Sequence, residues 1–311
     1  MVLEISSICV AGDWYVGEVY KYITQRFIEK YPTITFHVTD NKSFAAKYDI
    51  NNDIYKNSIA NIYNLLIYNP KNNKLFVNSL NDYAPYCCLM GGAGVEKFDL
   101  VGFGCVSNHT QHAVDSFKSY NLIPSFYIVE NMSDFERIQK YKNKPRKFNS
   151  AYFLGLIYGR RKEYFDTFKD SDLVKICNKD EFWKNRDDYF CELSDYKMSF
   201  SMDGAALICH RDIESIGLGN ILVREYLDVR MHDPLLPNIH YIEAVTKKEK
   251  ETMRIQDCKE LIINRINDFI SNEKLVTDYL NECSSWFQRN CIPENQFKIV
   301  EDITNSLELL R

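Results

Sequence analysis

Residues 196–242 carry the densest set of groups able to hold a charged, phosphorylated ligand. An apolar run closes on Asp203-Gly204, Arg211 and Glu214 follow in a short stretch with helical spacing, Gly217 and Gly219 interrupt it, and a second apolar run covers 220–225. A strand ending in a carboxylate and a glycine, a helix with a guanidinium near its start, and another buried strand make a βαβ unit with a cation and a carboxylate at its mouth. Open α/β sheets hold nucleotides at such a mouth.

The elements around this stretch must supply the sheet. In the first half, 3–11 reads as a strand stopped by Gly12-Asp13, and 14–31 carries apolar residues at helical spacing up to Pro32. Strands are predicted at 34–38, 74–80, 99–106 and 123–129, and helices at 53–68 and 110–120. That alternation predicts a mostly parallel sheet with helices on its faces. A charged, proline-containing segment, Lys142-Asn143-Lys144-Pro145-Arg146-Lys147, marks a boundary at 141–150. Beyond it the pattern repeats: strand 151–157, helix 160–168, strand 173–177, helical stretch 181–191, then the 196–242 unit and helices at 247–272, 274–290 and 294–310. The expected organisation is an N-terminal Rossmann-like domain over 1–145, a second over 146–290, and a helical tail over 291–311.

Composition sets the outer bounds. A chain of 311 residues with 45% hydrophobic and 26% charged residues is long enough for two domains, each with its own core. Its formal charge of −5, with Lys and Arg scattered, gives no basic face for nucleic acid. The 21 Tyr and 19 Phe suit either carbohydrate-stacking surfaces or an aromatic core. Ten cysteines show no C-x-x-C framework, and Cys87-Cys88 are adjacent, which suits reduced buried thiols and a reducing compartment. The first ten residues have no basic flank and an acid at Glu4, so they read as a strand and not a secretory leader. The sequons at Asn41, Asn108 and Asn131 then read as chance, and a cytoplasmic protein is expected.

Three pieces of the chain resemble glycosyltransferase family 90, the group of protein O-glucosyltransferases, fungal capsule xylosyltransferases and related enzymes of large DNA viruses. Tyr196-Lys197 leading to Asp203-Gly204, then Arg211, then Leu236-Pro237-Asn238-Ile239-His240-Tyr241-Ile242 follow that family's order and spacing. The family's Asp-aromatic-Pro is approximated by Asp82-Tyr83-Ala84-Pro85, with Ala84 inserted. In place of the family's Arg-Gly pair this chain has Leu154-Gly155, so only the later arginine, Arg160 or Arg161, is represented.

The resemblance implies a two-domain fold of the GT-B type, with a UDP-sugar bound by the C-terminal domain and an acceptor by the N-terminal one. Xylose or glucose would be moved, by an inverting reaction that uses no metal and no cofactor beyond the UDP-sugar co-substrate. Charge developing on the diphosphate needs fixed cations. Arg211 is the first candidate, because its planar fork suits phosphate oxygens; the alternative is a surface arginine paired with Asp212 or Glu214. Arg160 and Arg161 are further candidates, and Ser201, Asp203, Gly204 and Glu214 complete the donor set, Glu214 as acceptor from ribose hydroxyls. The attacking hydroxyl needs a base. Asp82 is the choice by position, Asp13 its rival, and His109 and His112 weaker alternatives. The base of the nucleotide would be read through backbone atoms of strand 173–177 and the loop after it. His240-Tyr241 closes a buried run, where a packing role is as natural as a catalytic one.

Two motifs invite other chemistry. Asp170-Ser171-Asp172 is a literal metal-binding Asp-x-Asp, but it falls between a helix and a strand start, where acids at a solvated turn are expected. Gly91-Gly92-Ala93-Gly94 lacks the Lys-Ser/Thr of a phosphate loop and reads as a flexible loop. The competing function is a non-catalytic two-lobed protein that binds a sugar or nucleotide.

Overall fold

The computed structural model describes residues 18–32, 35–40, 63–69, 74–79, 99–105, 132–180, 185–203, 208–227 and 232–306. In chain order the elements are α1 (Glu18–Lys30), β1 (Thr35–Asp40), β2 (Tyr63–Asn69), β3 (Lys74–Ser79), β4 (Asp99–Cys105), α2 (Met132–Tyr141), β5 (Phe148–Gly155), α3 (Arg160–Phe168), β6 (Val174–Asn178), α4 (Arg186–Leu193), β7 (Tyr196–Ser201), α5 (His210–Leu218), β8 (Ile221–Glu225), β9 (Ile242–Val245), α6 (Lys247–Thr252), α7 (Ile255–Ile270), α8 (Glu273–Cys291) and α9 (Pro293–Ser306). They form two compact units. One comprises Met1–Met132, Asp228–Asp233 and Asn290–Arg311, the other Ser133–Leu227 and Pro234–Arg289.

In the first unit the sheet order is β1-β2-β3-β4. β1, β2 and β3 are antiparallel neighbours and only the β3–β4 pair is parallel. This corrects the expectation of a mostly parallel first sheet. Residues 70–73 are all that join β2 to β3, far too few for the crossover that a parallel pair needs. It also corrects the helix expected over 53–68, since residues 63–69 are strand β2. The run Leu65-Leu66-Ile67-Tyr68 is apolar at successive positions and satisfies a helical stripe and a buried strand alike; pairing with β3 decides it. The expected elements at 3–11, 110–120 and 123–129 lie outside the described residues. Helix α9 returns to this unit and covers α1: Phe27 meets Phe297 edge-on at 5.0 Å, and Glu301 takes a hydrogen bond from Tyr31 Oη (2.5 Å) and an ion pair from Lys30 (2.6 Å).

The second unit is a five-stranded sheet, order β6-β5-β7-β8-β9, with every neighbouring pair parallel. Its inner strands are buried along most of their length, as a parallel sheet covered on both faces requires. Helix α7 shows why the helical layer adheres: Ile255, Cys258, Ile262, Ile266 and Phe269 recur at three- and four-residue steps and are all buried. Helix α5 ends on Gly219, whose φ of 75° suits a residue without Cβ, and Gly219 N and Asn220 N donate to Ile216 O and Ser215 O. Arg146, in the predicted boundary segment, donates to Ser194 O and Leu218 O at 2.5 Å each and so closes the carboxyl ends of α4 and α5 with a cation.

The strand order places β5 and β6 on one side and β7, β8 and β9 on the other. Chain direction across the sheet therefore reverses between β5 and β7, where an open parallel sheet has its crevice, beyond the carboxyl ends of the strands.

Candidate functional site

At that reversal the turn from β5 into α3 begins with Gly155. A Cβ there would lie 2.7 Å from Phe153 Cζ and 2.8 Å from Arg211 Nη2, so any larger residue would force one of these side chains to move. The space left free lets Arg211, near the start of α5, donate from Nη2 to Leu154 O at 2.6 Å. Its guanidinium lies 4.1 Å from the centroid of Phe153. Nε and Nη1 of Arg211 are shielded from solvent and have no hydrogen-bond partner among the described residues. Arg211 pairs with neither Asp212 nor Glu214, the carboxylates that its sequence position made natural partners.

A second guanidinium shares the same ring. Arg161, in the first turn of α3 and buried, lies 5.5 Å from the Phe153 centroid and 5.0 Å from that of Tyr158. Its nitrogens donate to backbone carbonyls: Nε to Asp203 O at 2.9 Å, Nη1 to Leu156 O at 3.2 Å and Nη2 to Met202 O at 3.4 Å. Arg161 thus ties the end of β5 to the end of β7. Gly159, with φ 52° and ψ −133°, turns the chain between Tyr158 and α3, and no side chain caps that helix. Cys209 starts α5. Burial, helped by Asp212, pushes its thiol up to about 11, so it brings no negative charge to the arginines. Both guanidiniums therefore lie against one aromatic ring, and among the described residues neither forms an ion pair with a carboxylate.

Next to them lies a compensated cluster. Arg224, wholly buried at the end of β8, donates from Nη1 to Asp212 (2.7 Å) and from Nη2 to Asp203 (3.0 Å). Burial works against its charged form, but Asp212 and Asp203 hold it above its ordinary value. Lys250, from α6, bonds the other oxygen of Asp203 and lies 3.8 Å from Glu225. Arg160 turns away from Arg161 and its Nε lies 3.1 Å from Glu225. Glu225 is buried, and burial followed by the neighbouring Asp203 raises its carboxyl above the usual range.

Of the residues singled out by sequence, Arg160, Arg161, Asp203 and Arg211 come together here. Ser201 is buried at the end of β7, and its hydroxyl has no hydrogen-bond partner among the described residues. Glu214 belongs to a different group: it accepts from Arg186 (2.5 Å) and Tyr189 Oη (3.0 Å), and Arg186 also holds Asp134 (2.7 Å). Its carboxylate is committed to tying α5 to α4 and α2. His240 is buried; its Nδ1 accepts from Leu236 N at 3.0 Å, and its carbonyl accepts from Tyr279 Oη. Tyr241 Oη accepts from Leu227 N at 3.3 Å. Both thus serve the loop before β9. In Asp170-Ser171-Asp172 the serine hydroxyl accepts from Leu173 N and Val174 N and shapes the turn into β6. Asp82, Asp13, Gly204, His109, His112 and the 91–94 loop lie outside the described residues.

Sequence reasoning passed over Arg224, Glu225, Lys250, Phe153 and Tyr158. Arg224-Glu225 left a readable signal, two opposite charges closing an otherwise apolar buried strand. Lys250 left none, since it reads as one lysine in an exposed helical stretch.

No protein-family model and no curated protein sequence matches the chain. Among solved structures it is similar to the pneumococcal O-GlcNAc transferase GtfA in complex with UDP and GlcNAc. Identity is 13%, with a TM-score of 0.42 over 74% of this chain and 48% of that one. The chain spans about half the length of that transferase. No described helix is long and apolar enough to cross a membrane, and the six described cysteines are free thiols.

Proposed function

We propose that the parallel-sheet unit binds the diphosphate of a sugar nucleotide and that the protein is a glycosyltransferase. One observation carries the reading: Arg161 and Arg211 both lie against Phe153 at the β5/β7 reversal, and among the described residues no carboxylate forms an ion pair with either. Like charges brought together repel, and the ring quadrupole offsets only part of that. A dianionic group bridging the two guanidiniums would supply a counter-charge. Arg224, Asp203 and Lys250 act through position, fixing the end of β7 to which Arg161 is tied.

The resemblance to glycosyltransferase family 90 supplies the rest of the proposal: a GT-B arrangement, UDP-xylose or UDP-glucose as donor, inversion without a metal, and a cytoplasmic enzyme. In that reaction the acceptor oxygen forms a bond to the anomeric carbon as the bond from that carbon to the β-phosphate oxygen breaks. UDP leaves with the electron pair, and the acceptor proton passes to a carboxylate, Asp82 or Asp13. Arg161 and Arg211 stabilise the charge that grows on the diphosphate.

Thermal unfolding with and without UDP tests the reading. UDP at 100 times its Kd should stabilise the protein by about 2.7 kcal/mol, and Arg211→Ala should abolish that shift. EDTA should leave turnover of the sugar nucleotide unchanged. Asp82→Asn should lose turnover while keeping the UDP-induced shift, which separates an enzyme from a two-lobed binding protein. Absence of a shift with every nucleoside diphosphate would overturn the proposal.

A further inference from the structure

We propose that Tyr158 is the platform on which the nucleobase of the ligand stacks, an inference that rests on the diphosphate reading above. Sequence reasoning gave recognition of the base to backbone atoms after β6; the geometry points instead to a side chain on the β5–α3 turn. Tyr158 is 47% exposed and Leu156, two residues earlier, is 45% exposed, although both follow strand residues that are fully buried. Exposed apolar side chains are common singly. This pair differs in standing at the chain reversal, on the turn that leads into Arg161, whose guanidinium shares the Phe153 ring with that of Arg211.

Tyr158 is also held. The Arg161 guanidinium lies 5.0 Å from its centroid, and Arg161 is fixed in turn by Asp203 O, Leu156 O and Met202 O. Its own carbonyl accepts from Arg161 N at 3.0 Å. On the far side Gly159 adopts a backbone conformation that side chains other than glycine rarely reach, with open space where a Cβ would be. A ring held through one guanidinium and still half exposed offers an ordered aromatic surface, so stacking would sacrifice little side-chain freedom. Arg161 joins the two halves of the site: it shares Phe153 with Arg211 on the phosphate side and touches Tyr158 on the other. A nucleoside diphosphate has the matching order, an anionic end and a flat aromatic end separated by a ribose. Every base has a π-face, so the stack contributes affinity and leaves the choice among bases to groups at the ring edge.

The experiment is calorimetric titration of the full chain with two probes, UDP and inorganic pyrophosphate. Base-on-aromatic stacking corresponds to a loss of about 5- to 150-fold in affinity on removal of the ring. Tyr158→Ala should lose UDP affinity by that factor and keep pyrophosphate affinity within about twofold. Tyr158→Phe, which keeps the ring, should bind UDP as the wild type does. The inference is overturned if Tyr158→Ala binds UDP unchanged, or if it loses UDP and pyrophosphate equally, which would make Tyr158 a support for Arg161 only. If the wild-type protein binds neither probe, the diphosphate reading fails and this inference fails with it, whereas binding of both by the wild type with no effect of the substitution sinks the stacking role alone.

Discussion

Arg224→Met is the sharpest test of the charge cluster beside the site. The arginine is fully buried, and so is Asp212, whose Oδ2 takes one bond from Arg224 at 2.7 Å and another from Cys209 N at 2.8 Å. Asp203, the second partner, is better protected, because Lys250 also holds it. Methionine fills much of the volume but leaves the Asp212 charge stranded, and stranding one buried charge costs about 3–5 kcal/mol. At about 2–4 °C per kcal/mol for a domain of this size, Tm should fall by roughly 6–20 °C. The assay is urea and thermal unfolding of wild type, Arg224→Met, Asp212→Asn and the double variant. Asn at 212 can still accept from Cys209 N while carrying no charge, so the double variant should recover more than half of the loss. A single variant destabilised by less than about 1 kcal/mol, or a double variant as unstable as the sum of the singles, would refute the account.

Gly155→Ala should displace Arg211 from Leu154 O, because the new methyl would sit 2.8 Å from Nη2. Calorimetry should show UDP affinity reduced at least tenfold together with a loss of about 1–3 kcal/mol in unfolding free energy. Gly217→Ala would put a methyl 2.6 Å from Phe287 Cε2, where α5 runs close to α8. It should destabilise by a similar amount, and Phe287→Leu in the same chain should return part of it, leaving UDP binding intact throughout. Glu249 is held down at about 2, below the ordinary 4.5, first by the paired hydrogen bonds from Arg265 and then by those of the Thr246 cap. A carboxyl that ionises more readily in the folded chain adds stability above about pH 4.5 and loses it as pH falls through about 2. Glu249→Gln should therefore cost about 1 kcal/mol at neutral pH and flatten the stability profile across that acid window, as read by urea titration at a series of pH values.

The parallel sheet was legible because its strands announce themselves. Apolar runs broken by charged helical stretches gave β5, β7 and β8 and the helix α3, and Gly219 marked the end of α5 through its backbone conformation. The 53–68 stretch misled for a physical reason: an apolar run does not state its period, and only pairing with β3 settles Tyr63–Asn69 as a strand. The site was half legible. Arg161 and Arg211 stood out as cations at element starts, whereas the Phe153 ring that both lie against and the missing Cβ of Gly155 that makes room for Arg211 are not visible without the sheet order. Glu214 shows the converse: a carboxylate on the chosen helix lies on the face toward Arg186 and Tyr189, a rotation that spacing alone does not set.

The return of α9 to α1 has a consequence for the growing chain. Tyr31 and Glu301 are 270 positions apart, so at roughly 5–20 residues per second the ribosome needs about a quarter of a minute to a minute to deliver the second after the first. Through that interval Phe27 waits without Phe297, while the parallel sheet, encoded between them, has its strands in hand. Nascent-chain protease protection should therefore appear in the middle of the polypeptide before it appears at the front, a reversal of the usual order in which the first-made portion matures first.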